Sequence, residues 1–117
     1  MINLEWIKCE GNAWCSLINV DLNHNHFNNM EGVYIIWHAG PNPATVRVGQ
    51  GVIKDRLSFH RNDPEILAYK NFGLFATWAS VSNENCDGVE RYLAESLKPK
   101  VGTQFPDVYP IEVNLPW

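Results

Sequence analysis

The sequence predicts a small α/β domain of the α+β type, in which helices flank a three-stranded, mainly antiparallel sheet. Two β-rich runs separated by Gly and Pro predict a hairpin, a later apolar run predicts a third strand, and amphipathic stretches predict helices. The 117 residues fit a single domain with its own core. A hydrophobic fraction of 45%, with five Trp and five Phe, indicates a packed globule and excludes a disordered chain.

The segments on either side of this core are predicted to be extended. Residues 14–22 alternate in part between two faces, which predicts an N-terminal extension of one or two strands against an edge of the sheet. Residues 100–117 hold prolines between apolar and aromatic residues. Because proline restricts the backbone and cannot continue a helix, we expect an extended C-terminal strap across the body.

The predicted hairpin joins residues 32–37 to the run that contains Arg47. Strict alternation along the second strand places Val46 and Val48 on one face and Arg47 on the other. A register with Tyr34 opposite Arg47 would bring these two polar groups to one face, beside the start of the next helix.

The helix after the hairpin carries two polar residues on its buried side. At about 100° per residue, Ile53 and Leu57 fall together, with Val52 and Phe59 on a neighbouring apolar arc, and Arg56 and His60 project between them. A buried charge is costly unless it is paired or used. Two interpretations follow: both residues are functional, or Arg56 pairs with a carboxylate and His60 is a hydrogen-bonded core residue.

Two further helices and one strand are predicted after this point. Asp63 suits an N-cap and Pro64 the first helical position of a helix that Gly73 ends. Residues 74–81 predict a largely buried third strand, and residues 82–86 a loop. Residues 87–98 then predict a long helix, which ends before a proline.

The last helix carries an inward-facing carboxylate. Glu90 points into the apolar arc formed by Val89, Leu93 and Leu97. One explanation is a capping box with Asp87, in which Glu90 reaches back to a backbone N–H. The other is a functional carboxylate.

Over residues 31–102 the sequence resembles the GIY-YIG nuclease domain. The resemblance rests on an ordered set: a hairpin with two glycine-containing tripeptides, an Arg-x-x-x-His helix, and a Glu-bearing helix that ends in Lys-Pro. The residues that carry it are Gly32-Val33-Tyr34, Arg47-Val48-Gly49, Arg56, His60 and Glu90. The resemblance gives Gly32 and Gly49 the role of motif glycines.

This resemblance implies a nuclease that depends on a divalent metal and hydrolyses phosphodiester bonds in nucleic acid, DNA in preference to RNA. By position, Glu90 would hold Mg²⁺ or Mn²⁺, Arg56 the phosphate, and Tyr34 with His60 the attacking water. The chemistry suits these residue types, because Mg²⁺ prefers oxygen ligands and a guanidinium offers a permanent forked charge. A Tyr hydroxyl or a His can orient or deprotonate water.

Arg47 occupies the position of the family's second motif tyrosine, and arginine cannot act as a base near neutral pH. If Tyr34 and His60 activate water, Arg47 can serve as a further phosphate contact. A catalytically silent module that binds nucleic acid or protein is the alternative. A third interpretation is an unrelated α/β domain in which Arg56 and Glu90 form a buried ion pair.

The charge balance limits how this chain could bind nucleic acid. The net charge is −4, with only nine Lys and Arg residues, whereas proteins that grip a duplex usually present a basic face. The predicted substrate contacts are Arg47, Gln50, Lys54 and Arg61. A local patch of this kind does not imply tight autonomous binding, so a protein partner or second subunit is expected to add affinity or specificity.

The remaining signals predict a cytoplasmic protein. The three cysteines, Cys9, Cys15 and Cys86, lack CxxC spacing, so we expect reduced thiols and neither a disulfide framework nor a zinc site. The first residues lack the pattern of a signal peptide, and no apolar run approaches the length of a membrane span.

Overall fold

A four-stranded antiparallel sheet lies at the centre of the computed structural model, which describes all 117 residues. The strands are β1 (Cys15–Ser16), β2 (Glu31–His38), β3 (Ala44–Val52) and β4 (Leu74–Ser80), and the helices are α1 (Ile53–His60), α2 (Pro64–Leu67) and α3 (Asn83–Leu97). The spatial order of the strands in the sheet is β1-β4-β2-β3. The α+β class is confirmed. The fourth strand comes from the predicted N-terminal extension over residues 14–22, but only Cys15 and Ser16 pair with β4, and the residues after them form turns.

The two faces of the sheet belong to two separate cores. On one face, Tyr34 and Ile36 of β2 pack with Ile53 and Leu57 of α1. On the other face, the alternate residues of β2 pack with α3: Val33, Ile35, Val89 and Leu93. Residues that project from α1 and from α3 can therefore meet only at an edge of the sheet, and β3 is the edge strand on that side.

The register of the β2–β3 hairpin differs from the predicted one. Tyr34 lies opposite Gly49, and Arg47 lies opposite Ile36. The register shifts next to Ile36, so that one extra residue of β3 is accommodated. Val46 consequently packs on the α1 side and Val48 on the α3 side. The prediction that both valines share a face was wrong, because strict alternation does not hold across a bulge.

Helix α3 begins four residues before the predicted start. Ser82 is its N-cap, and the Asn85 amide donates to the Ser82 carbonyl at 2.9 Å. The predicted loop over residues 82–86 and the capping box between Asp87 and Glu90 were therefore wrong, because Asp87 lies inside the helix. At the other end the backbone turns left-handed at Lys98, with φ of 49°, before the proline.

The predicted start of α2 is confirmed. Asp63 is the N-cap, and its side chain accepts from the Glu65 amide at 3.0 Å. The helix is short, a 3₁₀ turn at Lys70–Phe72 follows it, and Gly73 ends this stretch with φ of 83°.

The N-terminal segment is tied down by contacts that the sequence did not indicate. Cys9 and Cys15 form a disulfide with a Cα–Cα distance of 5.1 Å, so the prediction of reduced thiols was wrong for this pair. The odd number of cysteines gave no indication that two of them, close in sequence, form a disulfide. The third, Cys86, is free and buried. The prediction of a cytoplasmic location was based in part on reduced thiols, and the disulfide removes that support.

The C-terminal residues run back along the body without forming a helix or a strand. They reach the N-terminus through a bridge between Ile2 and Val113, and the Ile111 amide donates to the Gly88 carbonyl at 2.9 Å. The predicted strap is confirmed in this respect. None of the helices combines the length and the apolar character needed to cross a bilayer.

Candidate active site

A short hydrogen bond between Tyr34 and His60 lies at the centre of the candidate site. Tyr34 projects from the middle of β2, and His60 is the last residue of α1. The Tyr34 hydroxyl and His60 Nε2 are 2.6 Å apart, and both side chains are fully buried. His60, the histidine of the Arg-x-x-x-His pattern, therefore faces the sheet and not the solvent.

Gly49 makes room for the Tyr34 phenol. The two residues are opposite each other on neighbouring strands. A Cβ atom at position 49 would overlap the Tyr34 hydroxyl and lie 2.5 Å from the ring carbon that carries it. The phenol therefore lies across the backbone of β3, and a side chain at residue 49 would displace it.

The His60 imidazole is neutral at pH 7. The pKa of His60 is lowered from 6.5 to about 4. Burial is the largest cause, the positive charges of Arg47 and Arg56 also lower the pKa, and the negative charge of Asp63 opposes them. Nδ1 of His60 is buried and has no hydrogen-bond partner. Because a neutral imidazole has one donor and one acceptor nitrogen, Nε2 is able to accept the Tyr34 hydroxyl proton.

Arg47 reaches the same region from the edge strand. Its guanidinium lies over Gly102, where an added Cβ would be 2.6 Å from Nη1. Gly102 has a φ of +98°, a conformation that side chains disfavour. Nε of Arg47 is buried without a hydrogen-bond partner, so the charge is held in place while at least one of its donors is unused.

Arg56 is half-buried on α1 and also lacks a bonded partner. Its guanidinium lies 5.4 Å from the centroid of the Phe59 ring, and its stem runs past Gly51, where a Cβ would be 3.2 Å from Cγ. Phe59 is 59% exposed and Val52 is 38% exposed, so the predicted place of these two residues on the buried arc was wrong. The ring instead gives the guanidinium a flat apolar surface to lie on.

Glu90 approaches the cluster from α3 and is half-buried. Burial raises the pKa of this carboxyl, while the Gln50 amide and the guanidiniums of Arg47 and Arg56 oppose the rise. The ion pair of Arg91 with Glu95 is the only one within 4.0 Å in the structure, so Arg56 and Glu90 do not form the buried pair considered above. The predicted ion pair of Arg56 was therefore wrong, whereas His60 is a buried, hydrogen-bonded residue as the structural interpretation expected.

Gln50 connects Glu90 to a second carboxylate. Its Nε2 donates to Asp87 Oδ1 at 2.7 Å, and its amide lies close enough to Glu90 to lower the pKa of that carboxyl. Asp87 lies three residues before Glu90 on α3. The sequence prediction gave Asp87 only a capping role, although the spacing of three on a helix places both carboxylates on one side.

The structure brings six of the predicted residues together and separates two. The six are Tyr34, Arg47, Gln50, Arg56, His60 and Glu90. Lys54 is exposed on α1 and makes no hydrogen bond. Arg61 points to the segment after the opposite edge strand, β1, where Nε donates to the Leu17 carbonyl at 2.7 Å and Nη2 to the Val20 carbonyl. Gly32 is a structural residue, because a Cβ there would overlap the Ala79 carbonyl of β4.

The donor set fits a hydrated hard cation better than a protein cage. No three His, Cys, Asp or Glu side chains come together as a metal site. Glu90, with Asp87 nearby, offers carboxylate oxygens, and Mg²⁺ commonly binds through one or two carboxylates while it keeps several waters. The residues present therefore fit the predicted Mg²⁺ or Mn²⁺.

Comparisons of the chain with protein-family models, with curated proteins and with solved structures find no match.

Proposed function

We propose that this protein is a divalent-metal-dependent nuclease that hydrolyses phosphodiester bonds in nucleic acid, DNA in preference to RNA. One observation carries the proposal: two guanidiniums without bonded partners and a half-buried carboxylate without an ion-pair partner share one site with a buried Tyr–His pair. Partly buried charges that lack partners cost folding free energy. A bound phosphate and a cation would compensate both signs of charge at once.

In this proposal Arg47 and Arg56 bind the non-bridging oxygens of the scissile phosphate. Guanidinium groups suit this role because they keep their charge and present several donors in one plane. A cation on Glu90 would act as a Lewis acid and help the leaving oxygen. Arg47 therefore takes a substrate-binding role at the position of the motif's second tyrosine.

The Tyr34–His60 pair takes the proton from the attacking water. The water proton passes to the Tyr34 oxygen, the Tyr34 proton passes to His60 Nε2, and the hydroxide forms the new P–O bond as the leaving P–O bond breaks. Unliganded His60 is a weak base, because burial and the two guanidiniums lower its pKa to about 4. A phosphate bound to those guanidiniums offsets their charge and raises the pKa of His60, so the base strengthens when substrate is present.

The test is a cleavage assay with end-labelled single- and double-stranded DNA and RNA, in Mg²⁺, Mn²⁺ or EDTA. We expect cleavage that needs a divalent ion and is lost in Glu90→Gln, with an unchanged or higher melting temperature. Glu84→Gln is the matched control, because Glu84 is an exposed carboxylate in the first turn of the same helix. Equal activity in Glu90→Gln and wild type would contradict the proposal.

A second candidate is a catalytically silent module with the same binding surface. The replacement of the motif's second tyrosine by Arg47 favours it, since arginine cannot take a proton near pH 7. Binding in a gel-shift assay without cleavage in either metal would support this candidate. A protein partner or second subunit that supplies affinity stays a prediction, motivated by the net charge of −4.

A further inference from the structure

We infer that a cavity beside the candidate active site binds one unpaired base of a single-stranded nucleic acid. The inference rests on the proposed function, whose substrate class it narrows to single strands. The cavity has a volume of about 540 Å³ and lies between the end of the β2–β3 hairpin, the end of α3 and the last residue of the chain. Its lining includes Trp37, Trp117, Lys98 and Lys100.

The tryptophans form a fixed aromatic surface. Trp37 stacks on Phe75 with ring centroids 5.8 Å apart and planes at 23°, which leaves its position well defined. Trp117 meets Trp37 at 5.0 Å, and Trp14 packs edge-on against both. Trp117 is nevertheless 58% exposed. An exposed indole held by other aromatic rings is suited to stacking with a base, since every nucleobase has an aromatic face.

The charge of the cavity selects an anionic partner. Lys98 and Lys100 are exposed and form no ion pair, although the chain as a whole has a net charge of −4. Two ammonium groups beside the indoles would repel an organic cation, which excludes the quaternary ammonium ligands that aromatic cages recognise. They would attract the phosphates that flank a bound base.

Two backbone segments connect the cavity to the candidate active site along the edge of β3. The Lys100 amide donates to the Thr45 carbonyl at 3.1 Å, and the Val101 amide donates to the Val46 carbonyl at 2.8 Å. Thr45 and Lys100 line the cavity. Two residues further along each segment are Arg47 and Gly102, which are in contact.

Two residues of a β-strand span about 7 Å, which is the separation along β3 between the cavity and Arg47. A single-stranded nucleic acid whose base occupies the cavity can therefore present a nearby phosphate to Arg47. A base paired in a duplex is stacked and cannot enter such a cavity without being extruded. The geometry therefore predicts a preference for single strands, or for the unpaired end of a duplex.

The experiment measures binding of a fluorescein-labelled oligothymidine by anisotropy in EDTA, so that binding is separated from cleavage. We expect Trp117→Ala to weaken binding by about tenfold, as loss of one base-stacking contact does. Lys100→Ala should reduce the slope of log affinity against log salt by about 0.7, the value for one phosphate contact on a single strand. Wild type should bind the single strand more tightly than the matching duplex.

Two variants serve as controls. Tyr109→Ala removes an aromatic residue that is 94% exposed on the same C-terminal segment, outside the cavity. Lys70→Ala removes an exposed lysine outside both sites. Both should bind as wild type does. If Trp117→Ala lowers the melting temperature, Lys100→Ala decides the question, because Lys100 is exposed and contributes no side-chain hydrogen bond.

The outcomes separate this inference from the proposed function. Unchanged oligothymidine binding in Trp117→Ala and Lys100→Ala, or equal affinity for duplex, would overturn the base-binding cavity even if metal-dependent cleavage is observed. Weakened binding in both variants, with no cleavage in any metal, would support the cavity and contradict the nuclease proposal.

Discussion

Arg61 and Arg47 show how differently one residue type is used at the two edges of this sheet. Arg61 donates to two backbone carbonyls of the N-terminal segment, those of Leu17 and Val20. Arg47 has a buried Nε without any partner. Satisfied donors indicate a structural arginine, whereas a buried donor without a partner calls for an explanation such as a bound ligand or ion. The sequence assigned both residues to substrate binding, and only the bonding of each guanidinium distinguishes them.

The largest effect is expected from removing the guanidiniums that lack partners. Arg47→Ala and Arg56→Ala should each lower the cleavage rate by about 10²–10³-fold, the usual loss when one donor to a developing anion is removed. Neither should lower the melting temperature, because no hydrogen bond of the folded chain is lost. Arg91→Ala is the matched control, since Arg91 forms a surface ion pair with Glu95. A large stability loss in Arg47→Ala would show that Arg47 is a structural arginine, as Arg61 is.

The next effect concerns His60, whose pKa is lowered to about 4. The folded state binds fewer protons than the unfolded state between pH 4 and 6.5, so stability should rise with pH across this window and level off above it. The full change is about 3 kcal/mol at 1.36 kcal/mol per pKa unit. Chemical denaturation of wild type and His60→Gln at a series of pH values measures it. A similar pH dependence in His60→Gln would show that another group is responsible.

Arg61→Ala is expected to have a smaller effect, and on stability alone. Loss of the guanidinium leaves the Leu17 and Val20 carbonyls without their donor, which should cost about 2 kcal/mol. At a temperature where the variant is folded, kcat should stay within about twofold of wild type, since Arg61 lies outside the cluster. The measurements are urea unfolding and the cleavage assay. A kcat loss comparable to that of Arg56→Ala would show that Arg61 contributes to substrate binding or catalysis after all.

The smallest effect concerns the Glu90 carboxyl in the absence of metal. Its pKa is raised by burial, so the folded state holds the proton more tightly than the unfolded state. Stability should therefore fall slightly as pH rises above the unfolded pKa and level off once the folded carboxyl is ionised. Glu90→Gln should remove this decrease, which denaturant titrations in EDTA can detect. A stabilising contribution of ionised Glu90 would indicate a structural ion pair instead.

Much of the fold could be predicted from the sequence because local patterns determine it. The hairpin, the buried face of α1 and the inward direction of Glu90 follow from periodicity and from the positions of Gly and Pro. The bulge in β3, which brings Val46 and Val48 to opposite faces, depends on how two strands are paired and leaves no local signal. The earlier start of α3 was missed because Ser and Asn serve equally in loops and at helix N-termini.

The candidate site was predicted as a set of residues but not as an arrangement. Helical spacing indicated Arg56, His60 and Glu90, and the resemblance to the GIY-YIG domain added Tyr34 and implied the role of each residue. Their partners Asp87 and Gly102 were assigned other roles or none, because their contribution depends on which side chain lies above them. The disulfide between Cys9 and Cys15 was missed for the same reason, since cysteine count does not reveal distance.

The contact between Tyr34 and the bare backbone at residue 49 constrains how this protein could diverge. An aromatic ring at position 34 tolerates only glycine opposite it, because even the ring carbon Cζ would lie 2.5 Å from an added methyl group. A lineage that gave up the phenol for a small aliphatic side chain would be released from this restriction. Alanine or serine could then accumulate at position 49, and the original tyrosine could not return until that change was reversed.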